Sequence, residues 1–162
     1  DLTLNPLTKM KFIADAMLGR LARWLRLLGF DTLYYPDISD SNLLKIARQQ
    51  ERFILTRDTH FQGFKNLKGF LLINSNNTLE QLLEVKKTLD LKIVDAGRCV
   101  KCNGVLIAGI EKESVRGLVP EHIYLQFNRF SRCEECGNIY WEGSHIKRFR
   151  EKVCAGLEDI ER

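Results

Sequence analysis

The stretch KFIADAMLGRLARWLRLLGF, residues 11–30, decides the fold. It opens on a short apolar run, KFIA, and ends that run on a carboxylate, Asp15. A helix follows over about residues 17–28, with Gly29 in the position just past its end. At roughly 100° per residue, Trp24, Met17, Leu28, Leu21, Leu25 and Leu18 fall on one flank, while Arg20, Arg23 and Arg26 fall on the other. A buried strand that ends on an acid and leads into an amphipathic helix is the first half of a βαβ unit. The acid has two readings, a cap for the helix or a ligand for a metal ion beside a polyanion.

The same alternation continues downstream. DTLYY (31–35) reads as a second strand, and SDSNLLKIARQQ (39–50) as a helix opened by capping residues. RFILTRD (52–58) reads as a third strand, FLLINSN (70–76) as a fourth, and TLEQLLEVKKTLDL (78–91) as a helix opened by Thr78. Strands alternating with helices of this length predict an α/β fold with a parallel sheet. Near residues 95–97 the texture changes to glycines, cysteines and short β-like runs, VLIAGI, HIYLQF and NIYWEG, so a boundary is expected there. The tail SHIKRFREKVCAGLEDIER is helical in tendency and basic in its first half.

The chain has 162 residues, 44% of them hydrophobic, enough for a core and outside the disordered range. No apolar stretch is long enough to span a membrane. The first ten residues lack the basic-then-apolar pattern of a signal peptide. Met10 reads as a natural start, with residues 1–9 an extension outside the fold. A net charge of +4 permits a polyanionic partner without demanding one.

Four of the five cysteines form two near-copies of one turn, RCVKCNG and RCEECGN. Each sets two thiolates two residues apart and follows them with glycine, and two such knuckles make a tetrahedral S₄ site for Zn²⁺. Cys99, Cys102, Cys133 and Cys136 are therefore expected to hold a structural zinc, with the 30 residues between the pairs forming a β-hairpin. A closed S₄ site has no open position and serves folding rather than catalysis. Cys154 reads as a bystander. Paired knuckles without a secretion signal point to a reducing, cytoplasmic setting.

In a parallel sheet the ends of the first and third strands lie on one edge, where open α/β folds place their sites. That brings Asp15 and Asp58 together, with Asp40 and Asp37 in the loop before the second helix. Acids converging there would share Mg²⁺ or Mn²⁺, hard ions that prefer oxygen ligands. The bland readings are an N-cap for Asp40 and a turn for Asp58. Haloacid-dehalogenase phosphatases place a second aspartate two residues after the first, and Met17 stands there instead. Arg20 and Arg23 could track a phosphate backbone or could form an ordinary solvated face. Further positive charge lies at Arg98, Lys101, Arg129, Arg132, Lys147, Arg148 and Arg150. Tyr140, Trp141 and His145 could stack on unpaired bases or form the small core of the cysteine-bearing region.

FIADAMLGRLARWLRLLGFDT, SDSNLLKIARQQERFILTRD and RCVKCNG…RCEECGNIYWEGSH, taken together, resemble the Mut7-C RNase domain family over about residues 11–150. The resemblance implies a PIN-like domain over residues 10–96 and a zinc ribbon over 97–150, with a basic helix running to 162. It implies metal-dependent ribonuclease activity, with Asp15, Asp40 and Asp58 holding Mg²⁺ or Mn²⁺. It also implies that Thr56 orients Asp58 and that Arg57 meets a phosphate. PIN nucleases often carry a fourth acid after the fourth strand. Here Asn74, Ser75, Asn76 and Asn77 are all neutral. The expected partner is RNA, cut by an endoribonuclease whose zinc ribbon helps to grip it. The alternatives are a non-catalytic RNA-binding or ribosome-associated adaptor and, more remotely, a toxin-like partner of a protein antitoxin.

Overall fold

A computed structural model describes residues 10–63, 69–93 and 97–158. The side chains of Ser144, His145, Cys154 and residues 156–158 are outside that description, as are residues 1–9 and most of the expected boundary at 95–97.

The first half builds one sheet. Strands β1 (Phe12–Ala14), β2 (Thr32–Tyr34), β3 (Phe53–Thr56) and β4 (Phe70–Leu72) run parallel in the order β2-β1-β3-β4. Helices α1 (Gly19–Leu27), α2 (Asp40–Gln50) and α3 (Thr78–Leu89) connect or follow them. The sheet is covered on both faces, so its central strands are apolar throughout. Successive side chains of a strand point to opposite faces. Phe12, Ala14 and Leu55 therefore join Leu21, Leu25, Leu82 and Val85 in one core, while Ile13 and Ile54 join Leu43, Ala47 and Phe61 in the other. Leu21 and Leu25, one turn apart on α1, are fully buried.

Three details of this half depart from the sequence reading. The helix after Asp15 begins as a 3-10 turn over Ala16–Leu18 and becomes α-helical only at Gly19. A Cβ on Gly19 would stand 2.9 Å from the Tyr34 ring, so the close approach of that ring calls for glycine there. Met17 sits on the 3-10 turn, out of phase with α1, and is 68% exposed rather than part of the apolar flank. Gly29, with φ 95°, ends the helix as expected. Finally, α3 is capped by Asn77, whose side chain accepts from the Glu80 N–H, and not by Thr78.

The second half builds an antiparallel sheet of β5 (Leu106–Ile110), β6 (Phe130–Cys133) and β7 (Ile139–Trp141). The span between the cysteine pairs is not a simple hairpin. HIYLQF, read as β-like, lies in a helix, α4 (Glu121–Gln126), entered from Pro120. Ile123, Tyr124 and Phe127 pack beside the small core of Val115, Val119 and Phe130, while Leu125 is 71% exposed.

The chain then returns. Helix α5 (Ser144–Glu158) lays Val153 into the core beneath α1 and α3, and Phe149 meets Trp24 edge-on at 5.0 Å between ring centroids. The two sheets are also joined by polar contacts. Arg26, expected on the basic outer face, is 7% exposed. Its Nε donates to Thr32 O at 2.8 Å and its Nη1 to Val100 O at 2.9 Å, so it is a strut into the first knuckle. Burial lowers the Arg26 guanidinium below its ordinary value, while the nearby Cys102 and Cys99 act to raise it. Asn103 does the reciprocal work. Its Oδ1 accepts from Thr32 N at 2.9 Å, and its Nδ2 donates to Asp31 Oδ1 at 2.6 Å.

Candidate active site and metal centre

The two knuckles bring four sulfurs together. Sγ of Cys99 lies 3.6 Å from that of Cys136, Sγ of Cys102 lies 3.4 Å from that of Cys133, and all four fall within 4.8 Å of one another. Disulfide sulfurs lie about 2.05 Å apart, so these pairs are not bridged. Zn–S bonds of about 2.3 Å in a tetrahedron put sulfurs about 3.8 Å apart, close to what is seen. The four-cysteine cluster fits zinc.

The local sequence explains the geometry. The residue after each second cysteine is left-handed, Asn103 at φ 68° and Gly137 at φ 75°. Gly104 is required by close approach, because a Cβ there would stand 2.7 Å from Cys133 Sγ. Burial pushes the Cys99 thiol up, but hydrogen bonds from Tyr140 and from the N–H groups of Cys102 and Lys101 bring it down to about 6. Tyr140 is thus tied to the metal centre, with its hydroxyl 3.0 Å from Cys99 Sγ.

At the carboxyl edge of the parallel sheet, β1 and β3 are neighbours, and the chain leaves them for helices on opposite faces. Open α/β sheets bind ligands at such a reversal. Asp15 ends β1 and is 7% exposed. Its Oδ2 accepts from Thr56 Oγ1 at 2.6 Å and from Arg57 N at 2.8 Å, and its Oδ1 accepts from Met17 N at 2.9 Å. Asp15 is therefore a cap for the 3-10 turn and also a hub joining β1 to β3.

Thr56 makes the expected hydrogen bond to Asp58 and a second one besides. Its hydroxyl accepts from the Asp58 N–H at 2.9 Å and donates to Asp15 at 2.6 Å, so it ties the Asp58 backbone and aims the Asp15 carboxylate. The Asp58 carboxylate accepts from the His60 N–H at 2.9 Å, opening the 3-10 turn Thr59–Gly63. Phe61, fully buried, pins that turn and leaves His60 facing outward.

Asp40 is not the cap of α2. Ser39 is, accepting from Asn42 N, and Asp40 is the first helical residue. Its Oδ2 lies 3.6 Å from His60 Nδ1. One ligand atom each from Asp40, Asp58 and His60 lies within 4.8 Å of the others. Among the described residues this is the second group spaced to hold a metal ion, beside the cysteines. Asp15 is not a member of it, and Asp37 is exposed and outside it. His60 was missed in the sequence. Its signal is weak: a histidine two residues past an acid in RDTH becomes informative only once the 3-10 turn carries it round to Asp40.

Arg57 extends toward the same edge. Its Nη2 reaches Asn74 O at 3.4 Å, and its Nε is buried without an acceptor among the described residues. Arg20 and Arg23 are exposed on α1. The neutral tract has its own work, since Ser75 bonds Glu80, accepts from Asn77 N and stands before the capping Asn77.

The profile described as the Mut7-C RNAse domain matches residues 10–153, and the chain belongs to that family. Comparison with curated proteins and with solved structures finds no match. Membership supports a nuclease role with RNA as substrate, and among the described residues no helix is long and apolar enough to cross a membrane.

Proposed function

We propose that the protein is a metal-dependent endoribonuclease whose reaction centre lies at the carboxyl edge of β1 and β3. The observation that carries this reading is the grouping of Asp40, Asp58 and His60 beside Asp15, at the fold's natural ligand edge. Asp40 and Asp58 offer carboxylate oxygens, and Asp15 Oδ1 accepts one hydrogen bond and keeps a lone pair for a cation. The donor set suits Mg²⁺ or, with the imidazole included, Mn²⁺. Such an ion, when bound, lowers the pKa of a water and offsets charge on the phosphoryl oxygens.

The chain's own groups do the rest. Thr56 holds Asp15 at a fixed angle, so the charge is in place before substrate arrives. The Arg57 guanidinium stands at the same edge with its Nη2 on the exposed side, placed to meet a phosphate, and Arg20 and Arg23 extend the basic surface along α1. In the hydrolysis, the water oxygen bonds to phosphorus, one P–O ester bond breaks, and the departing ribose oxygen takes a proton.

Asp58→Asn keeps the shape of the site and halves its nearest charge. It should cut the cleavage rate by about two orders of magnitude or more while leaving the fold intact. Cleavage of labelled single-stranded and structured RNA, with Mn²⁺ and then with EDTA, checks this. A variant that cuts as well as its parent refutes the mechanism. A second reading, an RNA-binding adaptor, draws on the neutral Asn74–Asn77 tract, which caps α3 instead of adding a fourth acid. RNA retarded but never cut, with or without Mn²⁺, would favour it.

A further inference from the structure

The opposite end of α1 carries a second feature. A groove of about 480 Å³ opens where the C-terminal end of α1 meets the cysteine-bearing sheet and α5. Leu27, Tyr140 and Trp141 line it, with Trp141 resting on the buried Phe130 of the small core, and three arginines, Arg98, Arg129 and Arg150, stand around it with one acid, Glu142.

The rim is built rather than casual. Arg98 Nε donates to Asn103 O at 3.0 Å, and Arg150 Nη1 pairs with Glu142 at 3.2 Å. Arg150 Nη2 reaches Leu27 O at 3.5 Å, while its Nε is buried with no acceptor among the described residues. Arg129 is exposed. Tyr140 is held in place by its hydroxyl on Cys99 Sγ and Val100 N. A volume of this size takes a nucleoside-sized group. Aromatic faces take bases of any identity, and arginines take the phosphates on either side.

The groove is also aligned with the reaction centre. Residues 20, 23 and 27 share one stripe of α1, since i, i+3 and i+7 lie on one face of a helix. Arg20 and Arg23 occupy that stripe between the acid edge and Leu27, which lines the groove. Asp15 to Leu27 spans roughly 20 Å, a short 3-10 turn and then α-helix. That is about five to six stacked nucleotides, and fewer if the strand is extended.

We propose that this groove seats an unpaired base of the substrate RNA, with the intervening strand laid along the arginine stripe of α1. The inference rests on the ribonuclease reading and names the form of its substrate: a single strand several nucleotides long, gripped at a point remote from the cut. It makes the cysteine-bearing sheet part of substrate selection, because both aromatics come from β7, Tyr140 positioned by its hydroxyl on Cys99 Sγ and Trp141 by the small core.

The test uses the full zinc-loaded chain in buffer without Mg²⁺ or Mn²⁺, fluorescein-labelled oligouridylates of 3–15 nucleotides, and a matching 15-mer bearing 4-thiouridine. Affinity should step up once the oligomer passes about six nucleotides. Arg129→Ala and Ala108→Glu change two exposed groove positions without removing core packing. Each should weaken 15-mer binding about tenfold with the melting temperature unchanged. The thiouridine should cross-link to Tyr140 or Trp141. Binding within twofold of the parent in both variants overturns the proposal, as do cross-links confined to other elements or a parent that binds no 15-mer. Asp58→Asn should retain the cross-link. Groove-dependent binding in a parent that never cleaves RNA would leave the groove standing and remove the ribonuclease reading alone.

Discussion

The two sheets of this protein close by different means. The parallel sheet buries apolar side chains on both faces and completes two cores. The antiparallel sheet buries Val115, Val119 and Phe130, with a few half-exposed neighbours. Fully burying such side chains yields about 1.5–3 kcal/mol each. Fixing the backbone of one residue costs about 1–2 kcal/mol, so three buried side chains cannot order a segment of this length. A metal ion, which the four-cysteine cluster fits, would make up the difference, and the comparison teaches that burial suffices for one half of the chain and not for the other.

Removing the metal should therefore have the largest effect. Structural zinc is worth about 10–16 kcal/mol at neutral pH. Chelation should release the amide protection of Phe130 and Arg132 while that of Ile13 and Ile54 persists, read by hydrogen exchange. If β6 stays protected in the metal-free chain, the contrast between the halves is wrong. Leu25→Ala attacks the other side of the comparison. A fully buried leucine lost from the larger core should cost about 2–5 kcal/mol in denaturant unfolding. The cysteine site should still bind Co²⁺ with its thiolate charge-transfer band.

Asn103→Gly probes the seam between them. Glycine accepts the left-handed φ, so the knuckle keeps its shape, but both hydrogen bonds of the side chain disappear and the buried Thr32 N–H is left unpaired. The expected cost is about 1–3 kcal/mol, with metal binding unchanged. Acid should have the smallest effect. Burial acts to raise the Asp31 pKa, but hydrogen bonds from Arg52 and Asn103 and the charges of Arg52 and Arg98 hold it below the usual carboxylate range. A carboxylate depressed in the folded state contributes stability above its unfolded pKa, about 3.9, and loses it as pH falls through the folded value. Asp31→Asn should therefore flatten the stability profile below about pH 4 and leave the alkaline side alone.

What was legible in the sequence were features that repeat or punctuate. Strand–helix alternation, Gly29 and the paired CxxC knuckles each carry a local physical requirement, and the structure meets them. What was hidden depended on partners far away in the chain. A helical wheel places Arg26 with Arg20 and Arg23 because it sees one helix, while the acceptor that buries Arg26, Val100 O, lies 74 residues on. HIYLQF alternates like a strand, yet Ile123, Tyr124 and Phe127 also fit one face of a helix, and Pro120 tips the balance at the entry. At the acid edge, the types of residue were readable but not their division of labour. Ser39 takes the capping role open to Asp40, Thr56 serves Asp15 as well as Asp58, and a 3-10 turn adds His60.

The return of α5 to the first core has a consequence for anyone dissecting this molecule. Val153 and Phe149 reach α1 only after the chain has passed through the whole cysteine-bearing sheet. Cutting the polypeptide between the sheets would not yield two tidy halves. It would strip a wall from the first and expose Trp24 and its neighbours, so an isolated N-terminal fragment should be sticky and poorly soluble, whatever becomes of the metal.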